Sequence, residues 1–396
     1  METDDCAVLE LRRYAMQPGR RDALIDLFEK KLLEPQEALG MKVAGQFRDL
    51  DVPDRFVWLR GHRSMEARKE ALKTFYTGAT WARHRGEANS TIADSDDVFL
   101  LRPMTRGSRI ALSHERIPAE AGAPSVVVAS ICQLREPADE AFAGFFESRV
   151  EPALIEIGAP PIAVYCTEPR ENDFPIHPVR AGENALVWFS AFDSTDHHRT
   201  QVESAPRSKA WSEALAELMR RAKSPIETQR LEPTARSLFG RRPGDVHDFD
   251  FIAGRWNVAN RRLKARGVGT DAWDEFPATA VGRLHLGGVA NIDEISFPTR
   301  GASGLSVRTF DRKRREWSIS WISSQEGRLF SPVHGGFSGD RGLFFGDDED
   351  GGREVRVRYT WTKPAPDEAH WAQAFSYDRG ATWETNWLMD FTRARD

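Results

Sequence analysis

The chain has 396 residues, 40% hydrophobic and 29% charged, with a formal net charge of −5. A chain of this length divides into roughly two to four domains. Mild acidity excludes the dense Lys/Arg face that nucleic-acid binding requires, and no apolar run approaches the ~20 residues of a membrane-spanning helix. The acidic opening, Met1-Glu-Thr-Asp-Asp5, has no basic-then-apolar leader, so a cytoplasmic location is expected. Cys6, Cys132 and Cys166 are scattered and odd in number, which fits reduced thiols better than a disulfide framework or a zinc cluster.

Residues 7–223 contain the same unit twice. Leu24, Leu27, Phe28 and Leu32 reappear as Phe142, Phe145, Phe146 and Val150, and Gly40 returns as Gly158, all at one offset. After an insertion in the second copy, Trp58 and Trp81 return as Trp188 and Trp211 at a second shared offset. The first unit spans 7–102. Ala7–Tyr14 reads as a strand, and Pro18-Gly19 turns the chain into a helix. Its Leu24/Leu27/Phe28/Leu32 stripe has the spacing of one buried face. Strands follow near Lys42–Arg48 and at Arg55–His62, Ser64 caps a second helix, and Asp97–Arg102 closes the unit. The order βαββαβ is ferredoxin-like.

Residues 103–124, rich in Pro, Gly and Ala, read as a linker. The second unit, 125–223, is marked by the strands Val126–Cys132 and Ala185–Phe192, and no fourth strand is evident in it. It carries an excursion, Glu171–Glu183, of the kind that serves as a lid or binding loop. A second linker, 224–246, contains Pro225, Pro233 and Pro243. Beyond it, residues 248–393 hold eight of the twelve tryptophans among short alternating runs and Gly-rich turns. Arg315–Ile322, Val355–Thr362, His370–Tyr377 and Thr382–Phe391 alternate with period two, as in a closed antiparallel barrel without exposed edges. The expected fold class is α+β, with a pseudo-dimeric barrel followed by an antiparallel one.

Glu10-Leu-Arg12-Arg-Tyr14, Gly45-Gln-Phe-Arg-Asp49 and Phe56-Val-Trp58-Leu-Arg60-Gly61 resemble the bacterial branch of the NIPSNAP family. That resemblance covers about 7–220, more specifically in the first copy. It implies a dimeric α/β-barrel arrangement, with two four-stranded sheets facing each other and helices outside. Related families include cofactor-poor monooxygenases, haem-handling proteins and isomerases, but NIPSNAP supplies no agreed catalytic motif. His62 stands where bacterial members usually have an aromatic residue. Residues 248–393 resemble an uncharacterised family of lipocalin-like barrels through Asp248-Phe-Asp-Phe-Ile-Ala-Gly-Arg-Trp256, Gly287-Gly288 to Asn291, and Trp383-Glu-Thr-Asn-Trp-Leu-Met-Asp-Phe391. Gly254-Arg-Trp256 has the lipocalin Gly-x-Trp pattern, whose Trp closes the barrel floor. The resemblance implies a cavity without a named chemistry.

Strand alternation puts Leu9 and Leu11 on one face of the first strand, and Glu10, Arg12 and Tyr14 on the other. On the third strand Val57 and Leu59 oppose Phe56, Trp58, Arg60 and His62. With the apolar faces packed on the unit's own helices, the polar set points into the barrel interior, joined by Gln46 and Arg48. Buried charges are costly unless paired, so this set is either a structural ion network or a polar pocket. The apolar equivalents in the second copy favour a pocket with one polar wall and one greasy wall. There His62 and Glu10 handle protons, Arg12 and Arg60 stabilise an oxyanion, and Tyr14 completes the cluster. Trp58 and Trp188 sandwich the guest. In the C-terminal barrel, rows containing Trp317, Trp321, Trp361 and Trp387 either fill a core or line a cavity for a flat apolar molecule.

No metal is expected. His197-His198 reads as a solvated helix start, and His84 with Glu87 supplies too few ligands. Ser376-Tyr-Asp378-Arg-Gly380-Ala-Thr382-Trp383 matches the Asp-box of sialidase blades, which is a turn motif. Asp347-Asp-Glu-Asp350 lacks a calcium-loop rhythm, and Gly267-Val-Gly269 is no dinucleotide fingerprint. The expected protein is a cytoplasmic small-molecule pocket protein, monomeric or homodimeric. In its concrete form it is an accessory enzyme that isomerises, cyclises or oxygenates an amphipathic, aromatic or polyketide-like substrate without a cofactor. Two alternatives stand beside it: a carrier of haem, with His334 or His370 as axial ligand, or of another hydrophobic molecule, and an interaction scaffold without a ligand.

Overall fold

The computed structural model describes residues 6–113, 116, 125–240 and 244–394. Two compact units divide them, one built from both copies of the repeat and one from the C-terminal segment.

In the first copy, β1 (Val8–Met16) leads into a long helix, Arg21–Leu27, Phe28–Leu32 and Leu33–Glu37, whose middle turn is π-helical. Then come β2 (Lys42–Asp49), β3 (Arg55–His62), the helices Met65–Thr77 and Ala79–Thr91, the short β4 (Ile92–Asp94) and β5 (Val98–Pro103). Ser64 caps its helix as expected, its Oγ accepting from Ala67 N at 3.1 Å. The second copy repeats the plan: β6 (Val126–Leu134), a helix with a π turn at Phe146–Val150, β7 (Pro161–Thr167), β8 (Asn184–Phe192), the helices Thr195–Ser204 and Lys209–Arg221, and β9 (Glu227–Pro233). The duplicated stripe therefore encodes more than amphipathicity. Phe28 and Leu32 bracket one π turn, Phe146 and Val150 the other, and such wide turns are rare. Gly40 and Gly158 both take φ near +80° (82° and 75°) just beyond these helices, a left-handed C-terminal stop that favours glycine.

The sheets run β5-β1-β3-β2 and β7-β8-β6-β9, and join edge to edge through β2–β9 and β5–β7 into a closed eight-stranded barrel. β9 is the fourth strand that the sequence did not reveal. It lies inside the segment expected to be a linker, because Glu227-Thr-Gln-Arg-Leu-Glu-Pro233 is polar and only Gln229 and Leu231 are buried. Its stability comes from pairing with both β2 and β6.

The expected orientation of the first sheet is reversed. Leu9, Leu11, Val57 and Leu59 meet Val127, Ala129, Val187 and Phe189 in one core inside the barrel. Glu10, Arg12, Tyr14, Trp58, Arg60 and His62 point the other way, beneath helices that present Phe28, Leu32, Leu72 and Phe75. Facing two apolar sheets together removes more hydrocarbon from water than facing either on a mixed helical surface. Trp58 and Trp188 consequently sit in separate cores and cannot sandwich one guest.

The C-terminal unit is a ten-stranded up-and-down barrel: β10 (Gly254–Leu263), β11 (Trp273–His285), β12 (Ala290–Phe297), β13 (Ala302–Asp311), β14 (Glu316–Ser323), β15 (Val333–Ser338), β16 (Arg341–Asp350), β17 (Arg353–Ala365), β18 (Glu368–Ser376) and β19 (Glu384–Arg393). Each strand pairs antiparallel with the next, and β19 returns to β10. Trp256 is buried, donates from Nε1 to Ile252 O at 3.0 Å, and lies under the Arg393 guanidinium, 4.0 Å from the ring. No helix among the described residues is long and apolar enough to cross a membrane.

The packed interior of the eight-stranded barrel sets an expectation for Leu59→Ala. It should cost about 2–5 kcal/mol in a urea unfolding titration, whereas a change below about 0.5 kcal/mol would mean that the interior is not closely packed.

Candidate functional site

The charged face of the first sheet is organised around one carboxylate. Glu10, fully buried, accepts from Arg12 Nη1 at 3.0 Å and Arg60 Nε at 2.8 Å on Oε2, and from Arg68 Nε at 2.7 Å on Oε1. Arg12 Nε donates to Tyr14 Oη at 3.0 Å, and Arg60 Nη1 to Gln36 Oε1 at 3.2 Å. Trp58 packs edge-on against Phe28 and Tyr14, with Arg12 and Arg60 over its ring at 5.5 and 5.0 Å. Burial alone would raise the Glu10 carboxyl, but Arg60, Arg12 and Arg68 together hold it well below the usual carboxylate range. A carboxylate fixed this way is an acceptor of hydrogen bonds and a poor acceptor of a proton.

His62 differs. Burial, reinforced by Arg60, Arg68 and Arg12 and opposed by Glu10, pushes its imidazole down to about 3. Neither ring nitrogen has a hydrogen-bond partner. The excursion of the second copy covers this layer. Asn172 and Asp173 accept from Arg68 Nη1 at 3.1 and 2.7 Å, and Phe174 joins the helix-side core. The His177 ring lies 3.9 Å from that of Tyr76.

Sequence reasoning missed Arg68, although a signal exists. Met65, Arg68, Leu72 and Phe75 share one buried helix face, and a guanidinium at such a position needs a buried partner. Gln36 is likewise a polar residue closing an apolar stripe. The link to Asn172 and Asp173 has no local signal, because it joins residues more than a hundred positions apart.

The second compartment is the C-terminal barrel, which has a filled end and an open end. Trp317, fully buried, packs on Phe249 and Phe310 and donates to Asp245 O at 2.9 Å. It belongs to the filled core, contrary to its expected role. Trp361 borders an inner chamber of about 70 Å³. Trp321 and Trp387, with Tyr359 and Gln373, line both that chamber and a wider cavity of about 600 Å³. Trp321 can lie across β13 only because residue 304 is glycine: a Cβ there would come within 1.9 Å of its ring. Deep in the barrel the Arg308 guanidinium pairs with Asp293 and donates to Asn291 Oδ1 at 3.2 Å. Asp293 and Arg308 lie on the inward alternation of neighbouring strands, a pairing readable once the register is known. Arg308 Nε and Trp361 Nε1 remain buried without acceptors.

The residues considered as haem ligands in this barrel do not fit that role. His334 and His370 alternate with the core residues Val333 and Phe337, and Ala369 and Trp371, so both face outward. His334 contacts Ser318 Oγ at 3.0 Å and His370 contacts Asp390 at 2.7 Å. Asp378 of the Asp-box accepts from Thr382 N at 2.8 Å and organises a turn. Asp347 and Asp350 pair with Arg356 and Arg266. Among the described residues no group of His, Cys, Asp and Glu is arranged to hold a metal.

The NIPSNAP family model matches residues 9–105. No curated protein matches the chain. Among solved structures, a putative monooxygenase from Lactobacillus acidophilus NCFM is 12% identical, covering 57% of this chain and 92% of its own, with a TM-score of 0.37. An anthrone oxidase-like protein is 11% identical over 59% of this chain and 94% of its own, with a TM-score of 0.38. Chlorite dismutase from Candidatus Nitrospira defluvii is 11% identical over 57% and 92%, with a TM-score of 0.32. The segment from Leu9 to Thr105, the first of the two copies that close the eight-stranded barrel, is a NIPSNAP domain.

Proposed function

We propose that this chain is a small-molecule-binding protein whose C-terminal barrel holds an amphipathic guest with a flat apolar body and hydrogen-bond-accepting groups. The observation that carries the reading is the cavity of about 600 Å³ leading to the inner chamber, within the ~300–1,000 Å³ typical of ligand pockets. Trp321, Tyr359 and Trp387 supply aromatic walls. The buried atoms left over at its deep end, Arg308 Nε and Trp361 Nε1, are both donors. They suit carbonyl or quinone oxygens better than hydroxyl-free hydrocarbon. The compartment we assign is the cytoplasm, supported by Cys132 and Cys166 being buried thiols outside any disulfide.

Acid–base catalysis in the first unit is a second reading, favoured by one observation. Of Glu10, Arg12, Tyr14, Arg60 and His62, His62 alone combines a neutral basic nitrogen with no partner. In that reading His62 moves the proton while Arg12 and Arg60 hold Glu10 in place.

Anthraquinone-2-carboxylate is a suitable probe for the barrel, with binding followed by tryptophan quenching. Trp387→Ala should weaken it about tenfold or more, and Gly304→Val, which displaces Trp321, should do the same; unchanged affinity in both variants would remove the barrel as the site. The burial of neutral His62 gives a separate expectation. Its folded pKa of about 3 lies below the ordinary 6.5, so its contribution is complete above about pH 6.5 and is lost as pH falls towards 3. His62→Gln should therefore reduce the slope of stability against pH, between pH 6 and 5, by about 1 kcal/mol per pH unit. An unaltered slope in urea titrations would show that the imidazole is protonated in the folded state.

A further inference from the structure

The layer between the first sheet and its helices buries more polar atoms than it pairs. Both side-chain polar atoms of Gln46, Nε1 of Trp58, both ring nitrogens of His62 and Nη2 of Arg68 have no hydrogen-bond partner. Gln46 lies opposite Trp58 in the β2–β3 register, so their side chains leave the sheet on one side, and His62 follows on the same face of β3. Native interiors leave few such groups, and several on one face call for a polar occupant. The charges are also uneven: Arg12, Arg60 and Arg68 converge on the single buried carboxylate of Glu10.

The remaining anion comes from outside the regular structure. Asp173, in the loop between β7 and β8, sits 2.7 Å from Arg68 Nη1, and its side chain is 23% exposed while that of Arg68 is 0%. This contact is one-pronged. Arg68 Nη1 is engaged and Nη2 is not, although the two nitrogens form the fork that grips a planar carboxylate through both oxygens. The loop carboxylate thus occupies the fork without filling it.

We infer that this layer binds a small aromatic carboxylic acid, and that Asp173 is a tethered substitute which the ligand displaces. The acid's carboxylate takes both Nη atoms of Arg68. Its ring enters beside Trp58 and Tyr76 as Phe174 and His177 lift away with the loop. A polar ring substituent meets the unpaired Nε1 of Trp58. The tethered Asp173 sets a threshold concentration below which the site stays closed. The site is independent of the C-terminal barrel.

The test titrates the full chain with 4-hydroxybenzoate by calorimetry and follows amide hydrogen exchange at Phe174 and His177. Asp173→Asn, which removes the competing charge at a partly exposed position, should tighten binding about tenfold. In the wild-type chain the ligand should speed exchange at both loop amides, and 4-hydroxybenzyl alcohol, lacking the carboxylate, should do neither. Arg68→Lys should abolish the response, and if that variant does not fold the Asp173→Asn comparison decides alone. Binding that Asp173→Asn leaves unchanged, that spares the loop amides, or that the alcohol reproduces would overturn the inference, as would absence of binding to Asp173→Asn.

Discussion

The mutual packing of two apolar sheet faces governs the N-terminal unit. Leu9, Leu11, Val57 and Leu59 from one copy and Val127, Ala129, Val187 and Phe189 from the other fill the barrel. Strand alternation then leaves the charged residues of β1 and β3 no course but outward, under their own helices. There they are cut off from water, and an isolated guanidinium or carboxylate in such a place is untenable. Glu10 answers three arginines, Arg60 reaches Gln36, and Arg68 enters from a helix to complete the set. The ion cluster is a consequence of where the hydrocarbon went.

The two copies share a backbone plan and differ in what their helix-side layers contain. Beneath the second copy's helices lie Val126, Val128, Leu186 and Trp188, which meet Phe146 and Leu154 of those helices in an apolar layer. The first copy has charge in the corresponding place. The long β7–β8 connection then brings Asn172, Asp173 and Phe174 from the second copy to cover the charged layer of the first. Duplication within one chain lets the halves diverge, whereas a symmetric dimer would repeat every substitution on both sides.

In the C-terminal barrel the same residue type does two jobs according to depth. Trp256, Trp317 and Trp361 join Phe249 in a continuous aromatic core at one end. Trp321 and Trp387 stand at the other end around open space. Spacing along a strand is equal in both cases, so alternation identifies the inward face without saying whether that face meets another side chain or a cavity. What separates them is the local size of the opposing residues, as Gly304 shows by admitting the Trp321 ring.

From sequence alone came the duplication, the βαββαβ order of its first copy, the inward and outward sides of β1 and β3 as sets, the helix cap at Ser64 and the closed character of the tryptophan-rich segment. Each rests on periodicity or local chemistry, which a linear string carries in full. Tertiary structure decided which side of the first sheet faces its twin, because that choice compares buried areas contributed by residues far apart. It also placed β9 in a segment too polar to announce a strand, since the stability of that strand resides in the ladders of β2 and β6. The meeting of Asp173 with Arg68, 105 positions earlier, belongs to the same class: long-range electrostatic pairing is chosen by the folded geometry that brings the charges out of water together.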